Sequence, residues 1–254
     1  IALAVCVGDE PESLDSIYAT KAADQTVLMS LYENLMRKTV DTSGGTTVTN
    51  GIAKSVSQEE NYDGTVTYTF RLRNTKWSDG RSVKADDFVY AWQRLADPAS
   101  GSPYSTLLSV VAGYQEVQET GDVSLLQVSA ESDTTLEVVL SGKYDWFLTE
   151  VCTSPATVPL RQDVIQKWRD QDAQEQGEDL SSVPEKWWSD IASLVTNGPY
   201  QVEEYAAGSY LRTAANPQYY GSSAGPSELT FHFAETVEQA RTLYEEKTVD
   251  FVWT

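Results

Sequence analysis

Residues 68–105 read YTFRLRNTKWSDGRSVKADDFVYAWQRLADPASGSPYS. Beginning three residues earlier, Val66, Tyr68, Phe70 and Leu72 fall on one face, and Thr65, Thr67, Thr69, Arg71 and Arg73 on the other. That period of two marks an antiparallel strand with one face in water. Ser78-Asp79-Gly80 makes a turn, after which Phe88, Val89, Trp92 and Leu95 recur at helical spacing until Asp97-Pro98 ends the helix. Asp86 and Asp87 then occupy its first turn, where each complements the helix dipole by a few tenths to about 1 kcal/mol. Paired carboxylates among Trp77, Tyr90 and Trp92 invite a reading as sugar chemistry. Neighbouring residues on a helix point about 100° apart, so the two cannot converge on one substrate atom. The stretch reads as a strand–turn–helix corner.

Upstream, IALAVCVG predicts a buried first strand, followed by the turn-rich DEPESLDS. Val27, Leu28, Leu31, Leu35 and Met36 share the spacing of one apolar helix face, predicting a helix from about Ala23 to Arg37. Thr42–Thr47 is turn-rich and a candidate crossing between subdomains, and Asn61-Tyr62-Asp63-Gly64 is a hairpin turn. Downstream, 135–141 alternates as a strand. Gln162 to Ile191 reads as two surface helices, the second started by a capping box at Ser182-Val183-Pro184-Glu185. Strands return at Tyr200–Tyr205 and Tyr210–Thr213. The closing SELTFHFAETVEQARTLYEEKTVDFVWT reads strand, helix, strand, the unit of a right-handed crossover in a mixed sheet.

The chain has 254 residues, enough for one large or two ordinary domains. With 18 basic against 38 acidic residues and a net charge of -20, it is a poor partner for nucleic acid, whose binding rests on Lys and Arg neutralising phosphates. No run approaches the roughly 18 apolar residues of a membrane span. The start carries neither Met nor a leader, so a removed leader or a trimmed sequence is expected. Leu3-Ala4-Val5-Cys6 only faintly resembles a lipidation box, because Val5 is bulky, and Cys6 is read as a strand residue. Cys6 and Cys152 stand 146 positions apart. That spacing fits neither a redox pair nor zinc ligands, and leaves open two buried thiols or one disulfide.

Catalytic machinery is hard to assemble. His232 is the only histidine and sits in an alternating strand, where packing is the expected role. No GxSxG, GxGxxG, P-loop or HExxH pattern occurs, and no metal site or cofactor is expected. With 38 acidic residues a glycosidase pair can be neither supported nor excluded by counting. The aromatics suit either a ligand pocket or a core.

Taken in order, EPESLDS (10–16), LYENLM (31–36), GIAKSVS (51–57), the segment 68–105, NGPYQVEEY (197–205), NPQYYG (216–221) and LYEEKTVDFVW (243–253) resemble the family-5 extracellular solute-binding proteins, the peptide-binding components of bacterial ABC importers. Ser102-Pro103-Tyr104 matches the SPY of the oligopeptide-binding members. Two departures are Ser16, where the family usually has Pro, and Lys84, where it commonly has an N-capping Thr; losing that hydroxyl should cost about 1 kcal/mol.

The resemblance implies an α/β, periplasmic-binding-protein-like fold of the type II, peptide-binding class. Residues 1–45 and 150–254 would form a discontinuous mixed-sheet base, and 46–149 an inserted α+β subdomain. Family chains being about twice as long, a second lobe is expected to be missing from this one. The implied function is capture of peptides for an ABC permease without catalysis, in a protein that is extracellular, periplasmic or lipid-anchored at the cell surface as a full-length precursor. The implied peptide contacts are Thr20, Lys21, Ala22 and Tyr104. A receptor for another solute, an oligosaccharide or a metal chelate, is the alternative, and a glycosidase a distant one.

Overall fold

The computed structural model describes residues 1–222 and 225–253. Strand β1 (Ala2–Cys6) leads through a short 3-10 turn to helix α1 (Ala22–Leu31), and then to a hairpin of β2 (Met36–Val40) and β3 (Thr46–Asn50). Next come β4 (Ala53–Glu60), β5 (Val66–Leu72), α2 (Ala85–Ala96), α3 (Tyr114–Thr120), β6 (Val128–Ser132) and β7 (Thr135–Leu140). Helix α4 (Gln162–Lys167) continues through a π-turn into the short α5 (Ala173–Glu175). The chain closes with β8 (Tyr200–Ala206), β9 (Tyr210–Ala215), β10 (Glu228–His232), α6 (Val237–Glu245) and β11 (Phe251–Val252).

Two larger sheets result. One has the order β11-β1-β10-β9-β8, with β1 parallel to both β10 and β11, and the other has the antiparallel order β4-β5-β7-β6. Strand β1 is covered on both sides. Val5 joins the main core, while Cys6 joins Ala234, Ala240 and Val249 beneath α6. The main core runs without a break from Val5, Leu211 and Phe231 in the first sheet to Phe70, Leu136 and Val138 in the second.

The corner at residues 68–105 forms as expected. Alternate residues of β5 from Val66 to Leu72 are buried, Gly80 turns the chain at φ +87°, and Trp77 and Trp92 are wholly buried. Asp87 does more than complement a dipole: its carboxylate accepts from the Lys84 amide at 2.8 Å and from Trp77 Nε1 at 3.0 Å. The carboxylate thus supplies the reciprocal half of a capping box, satisfying the Lys84 amide, and ties the helix start to the turn before it. Trp92 Nε1 donates to the Thr157 carbonyl at 3.0 Å, which anchors α2 to the segment after β7.

Other expectations need correction. Helix α1 ends at Leu31, not Arg37, although Leu35 and Met36 are buried as the spacing requires. The segment Asn197-Gly198 docks where the next turn would lie: Gly198 N donates to the Leu31 carbonyl at 2.8 Å, and Asn197 exchanges two hydrogen bonds with the Glu33 backbone. Met36 then begins β2, and Thr42–Thr47 is the tip and outgoing start of the β2–β3 hairpin, where Asp41 accepts from the Ser43 and Gly45 amides.

Residues 162–191 hold one helical run, α4 to α5, and afterwards only the 3-10 turns Trp187–Ser189 and Ile191–Ser193. The capping box fails because Glu185 is taken by Arg94 and Arg169, and Trp187 is buried with its Nε1 on Asp15. The possible Cys6–Cys152 disulfide is not formed. Both thiols are free and buried in separate clusters, and burial pushes the Cys152 thiol well above its ordinary pKa. His232 packs against Tyr210, and burial lowers its pKa.

Candidate functional site: a cleft at the carboxyl ends of the parallel strands

In open α/β sheets, ligands bind beyond the carboxyl ends of parallel strands, because the chain leaves each strand there and the loops diverge. Here β1, β10 and β11 end side by side. The residues that follow them, Val7-Gly8-Asp9, Ala234-Glu235 and Trp253, face the start of α1 at Ala22 and Ala23 across a cavity of about 360 Å³. The start of α6 forms the remaining wall, its N-cap Thr236 accepting from the Gln239 amide at 3.2 Å. A shallower groove continues along α1 past Ala22, Gln25, Thr26 and Met29, with Pro155 and Trp253 on its far side.

The segment leading into α1 is shaped for contact. Asp15 caps the turn Ser16–Tyr18, after which Ala19 and Lys21 both have extended backbone. Thr20 between them is exposed, and neither its amide nor its carbonyl makes a hydrogen bond within the described residues. An exposed extended segment with free backbone groups can pair with an extended peptide as a strand would. Lys21 pairs its ammonium with Asp9 at 3.4 Å and Glu12 at 3.8 Å, and Ala22 lines both the cavity and the groove.

Tyr104 comes from the distant loop after α2, yet reaches this place. Gln25 Nε2 donates to its hydroxyl at 3.2 Å and to the Ala19 carbonyl at 3.4 Å, and the Gln25 amide to the Lys21 carbonyl at 3.1 Å, which ties Tyr104 to the segment that carries Thr20, Lys21 and Ala22. The loop is held by Ser102 Oγ, which donates to the Ile17 carbonyl at 2.6 Å and accepts from the Tyr104 amide at 3.1 Å. Tyr18 adds a hydrogen bond from its hydroxyl to the Ser100 carbonyl; burial, with Asp15 beside it, pushes that hydroxyl up to about 12.

Electrostatically the rim is acidic: Asp9 and Glu235 line the cavity, and Lys21 is already paired. Asp24, buried in the first turn of α1, has its pKa raised by burial, with Lys21 opposing. Among the described residues no group of three or more His, Cys, Asp or Glu could hold a metal, and no helix is long and apolar enough to cross a membrane.

The chain matches a family model, that of the bacterial extracellular solute-binding proteins, family 5 Middle, over residues 47–254. The chain belongs to this family. It is 31% identical over 226 residues to the periplasmic oligopeptide-binding protein OppA of Salmonella typhimurium, covering 85% of this chain and 36% of the relative. A dipeptide-binding protein of Lactococcus lactis is 31% identical over 242 residues, 94% of this chain and 40% of the relative. The solved structure of Burkholderia pseudomallei OppA superposes with a TM-score of 0.81 at 28% identity, covering all of this chain and 46% of that one. Haemophilus influenzae OppA in complex with RPPGFSPFR gives 0.80 at 27% identity, over 99% of this chain and 45% of that one. The chain therefore spans less than half the length of these relatives, and its fold is that of the peptide-binding class of solute-binding proteins.

Sequence reasoning missed Gln25 and Trp253. Gln25 had a legible signal, since it stands four residues after Lys21 and so returns to the start of the helix one turn on. Trp253 had none, because only the pairing of β11 beside β1 brings it to the cleft.

Proposed function

We propose that this chain forms the first lobe of an extracellular or periplasmic receptor that captures peptides and delivers them to an ABC permease, without catalysis. The observation that carries the reading is the exposed Thr20, its backbone groups free between the extended Ala19 and Lys21, in a segment that Gln25 ties to Tyr104 beside the Ala22 edge of the cleft. A peptide laid there can form strand-like backbone hydrogen bonds that do not depend on its sequence, while the cavity accepts side chains. Thr20, Lys21 and Ala22 contribute backbone in this reading, and Tyr104 contributes its hydroxyl and ring. The acidic rim repels anionic ligands.

The same reading assigns residues 1–45 and 150–254 to the base of the lobe and 46–149 to an inserted subdomain. It is supported by the sheets, since the five-stranded one draws only on the former and the four-stranded one only on the latter. Because the relatives are more than twice as long, a second lobe closing over the peptide completes the site in the full-length protein.

Native mass spectrometry of the full-length protein, purified without refolding, tests the proposal. Co-purified peptides of mixed mass are expected; a single sugar mass, or turnover of glycosides, would overturn it. The 254-residue chain alone should bind peptide weakly, and submicromolar binding in calorimetry would contradict the two-lobed site.

A further inference from the structure

Behind the cleft lies a cluster of four charges, in which Asp15 is wholly buried, Arg94 and Glu185 are mostly buried and Arg169 is partly exposed. Asp15, with no exposed surface, takes the Arg94 guanidinium in a two-point fork at 2.8 and 2.5 Å. Arg94 also reaches Glu185 at 3.1 Å, and Glu185 holds Arg169 in a second fork at 2.7 and 2.9 Å. The charges balance, as burial demands: an uncompensated ion in a low-dielectric interior is strongly destabilising. A forked pair also fixes direction as well as distance, because two parallel hydrogen bonds permit few orientations.

Asp15 differs from the other three members in what else it holds. Its carbonyl accepts from the Tyr18 amide at 3.0 Å, its carboxylate caps Ile17, and Trp187 Nε1 donates to it at 3.1 Å. From that capped turn, hydrogen bonds cross to the opposite wall: Ser102 Oγ to the Ile17 carbonyl, and the Tyr18 hydroxyl to the Ser100 carbonyl. Arg94 meanwhile sits near the end of α2, whose continuation is the Ser100–Tyr104 loop. Both walls of the candidate peptide contact are thus referenced to one carboxylate that never touches the cleft.

We propose that Asp15 is a positioning residue for peptide capture, setting the Thr20–Ala22 backbone against Tyr104 through its fork with Arg94 and its cap on the turn. The proposal rests on the peptide-receptor reading above. Glu185 belongs to the same cluster but makes no hydrogen bond to the turn, so it serves as the matched comparison.

The test compares Asp15→Asn and Glu185→Gln in the full-length protein, with tetra-alanine as probe. Asp15→Asn strands part of the mostly buried Arg94 guanidinium and Glu185→Gln leaves Arg169 without its fork, and both lower the melting temperature. Asp15→Asn should weaken binding by about tenfold or more in calorimetry, Glu185→Gln by less than about twofold. Amide exchange should accelerate across residues 17–22 and 100–105 in Asp15→Asn only. Adding Arg94→Met removes the stranded charge: the melting temperature should recover while the affinity stays low. Wild-type affinity in Asp15→Asn, or affinity that recovers together with stability in the double variant, overturns the proposal. If neither tetra-alanine nor a randomised tetrapeptide pool binds the wild-type protein, the peptide reading fails. The exchange comparison then decides the positioning role alone, and unchanged exchange in Asp15→Asn overturns it.

Discussion

Gly198→Ala is expected to destabilise the fold where α1 ends. An ideal Cβ at Gly198 would lie 2.5 Å from the Leu31 carbonyl carbon, 2.6 Å from its oxygen and 2.6 Å from the Tyr32 nitrogen. All three are backbone atoms, so no side chain can swing aside. Restoring ordinary contact requires a shift of about 0.9 Å, enough to break the 2.8 Å hydrogen bond from Gly198 N to the Leu31 carbonyl. The overpacking costs about 1–3 kcal/mol and the lost hydrogen bond about 1 kcal/mol. Against this, alanine restricts the unfolded chain, returning about 0.4–1 kcal/mol, since Gly198 is not among the glycines with positive φ. The balance is a loss of about 1–3.5 kcal/mol, equivalent to about 2–14 °C in melting temperature for a chain of this size. Urea denaturation followed by circular dichroism measures it. Gly208→Ala is the control for backbone strain without crowding: φ is +77° with nothing within 4 Å, and the expected cost is about 1–2 kcal/mol. A Gly198→Ala loss below about 1 kcal/mol, with the denaturant slope unchanged, would refute the account of why α1 stops at Leu31.

Tyr104→Phe removes the hydroxyl that Gln25 reaches; peptide affinity of the full-length protein should fall about threefold to tenfold while stability changes by less than about 1 kcal/mol, as titration calorimetry and thermal melts would register. Acid should destabilise the fold through Glu185. Burial alone would raise its pKa, but Arg169 and Arg94 outweigh burial and hold it below the ordinary value of 4.5, so its contribution is present above that value and is lost as pH falls through the lowered one. Asp163, lowered by its hydrogen bonds from Arg161, acts in the same direction, whereas Asp87, raised by burial, opposes them. Melting curves across the acid range should therefore fall less steeply for Glu185→Gln than for the wild type, and identical slopes would count against this reading. Ellman titration without reductant should find both thiols only after unfolding in guanidinium, because Cys6 and Cys152 are free and wholly buried; finding none would mean the disulfide exists.

Period-two and helical patterns located β5, α2 and β7 because each buries one face, so buried apolar residues must recur at the element's own repeat. The same logic failed for α1. Leu35 and Met36 carry the apolar spacing of a helix, yet they are buried for another reason: Met36 begins a strand after Asn197 and Gly198 have occupied the next helical turn. Nothing local distinguishes those two burials. The second helix expected near Glu185 failed likewise, since the capping pattern there competes with Arg94 and Arg169, which arrive from elsewhere in the chain.

For the candidate site, the motif that carries Tyr104 and the turn that carries Thr20 were legible as positions, but not as neighbours. Their meeting depends on Ser102, Tyr18 and Gln25 bonding across about eighty residues of intervening chain, a long-range relation that no local pattern encodes. By itself the sequence determined the α/β class, the family and the scaffold role of WSDGRSVKADDFVYAW, because propensity, periodicity and helix geometry act over a few residues. Only the tertiary structure decided where α1 stops, that Cys6 and Cys152 stay apart, and that a buried Asp15–Arg94 fork stands behind the cleft. Those outcomes depend on which distant groups compete for the same space and the same hydrogen bonds.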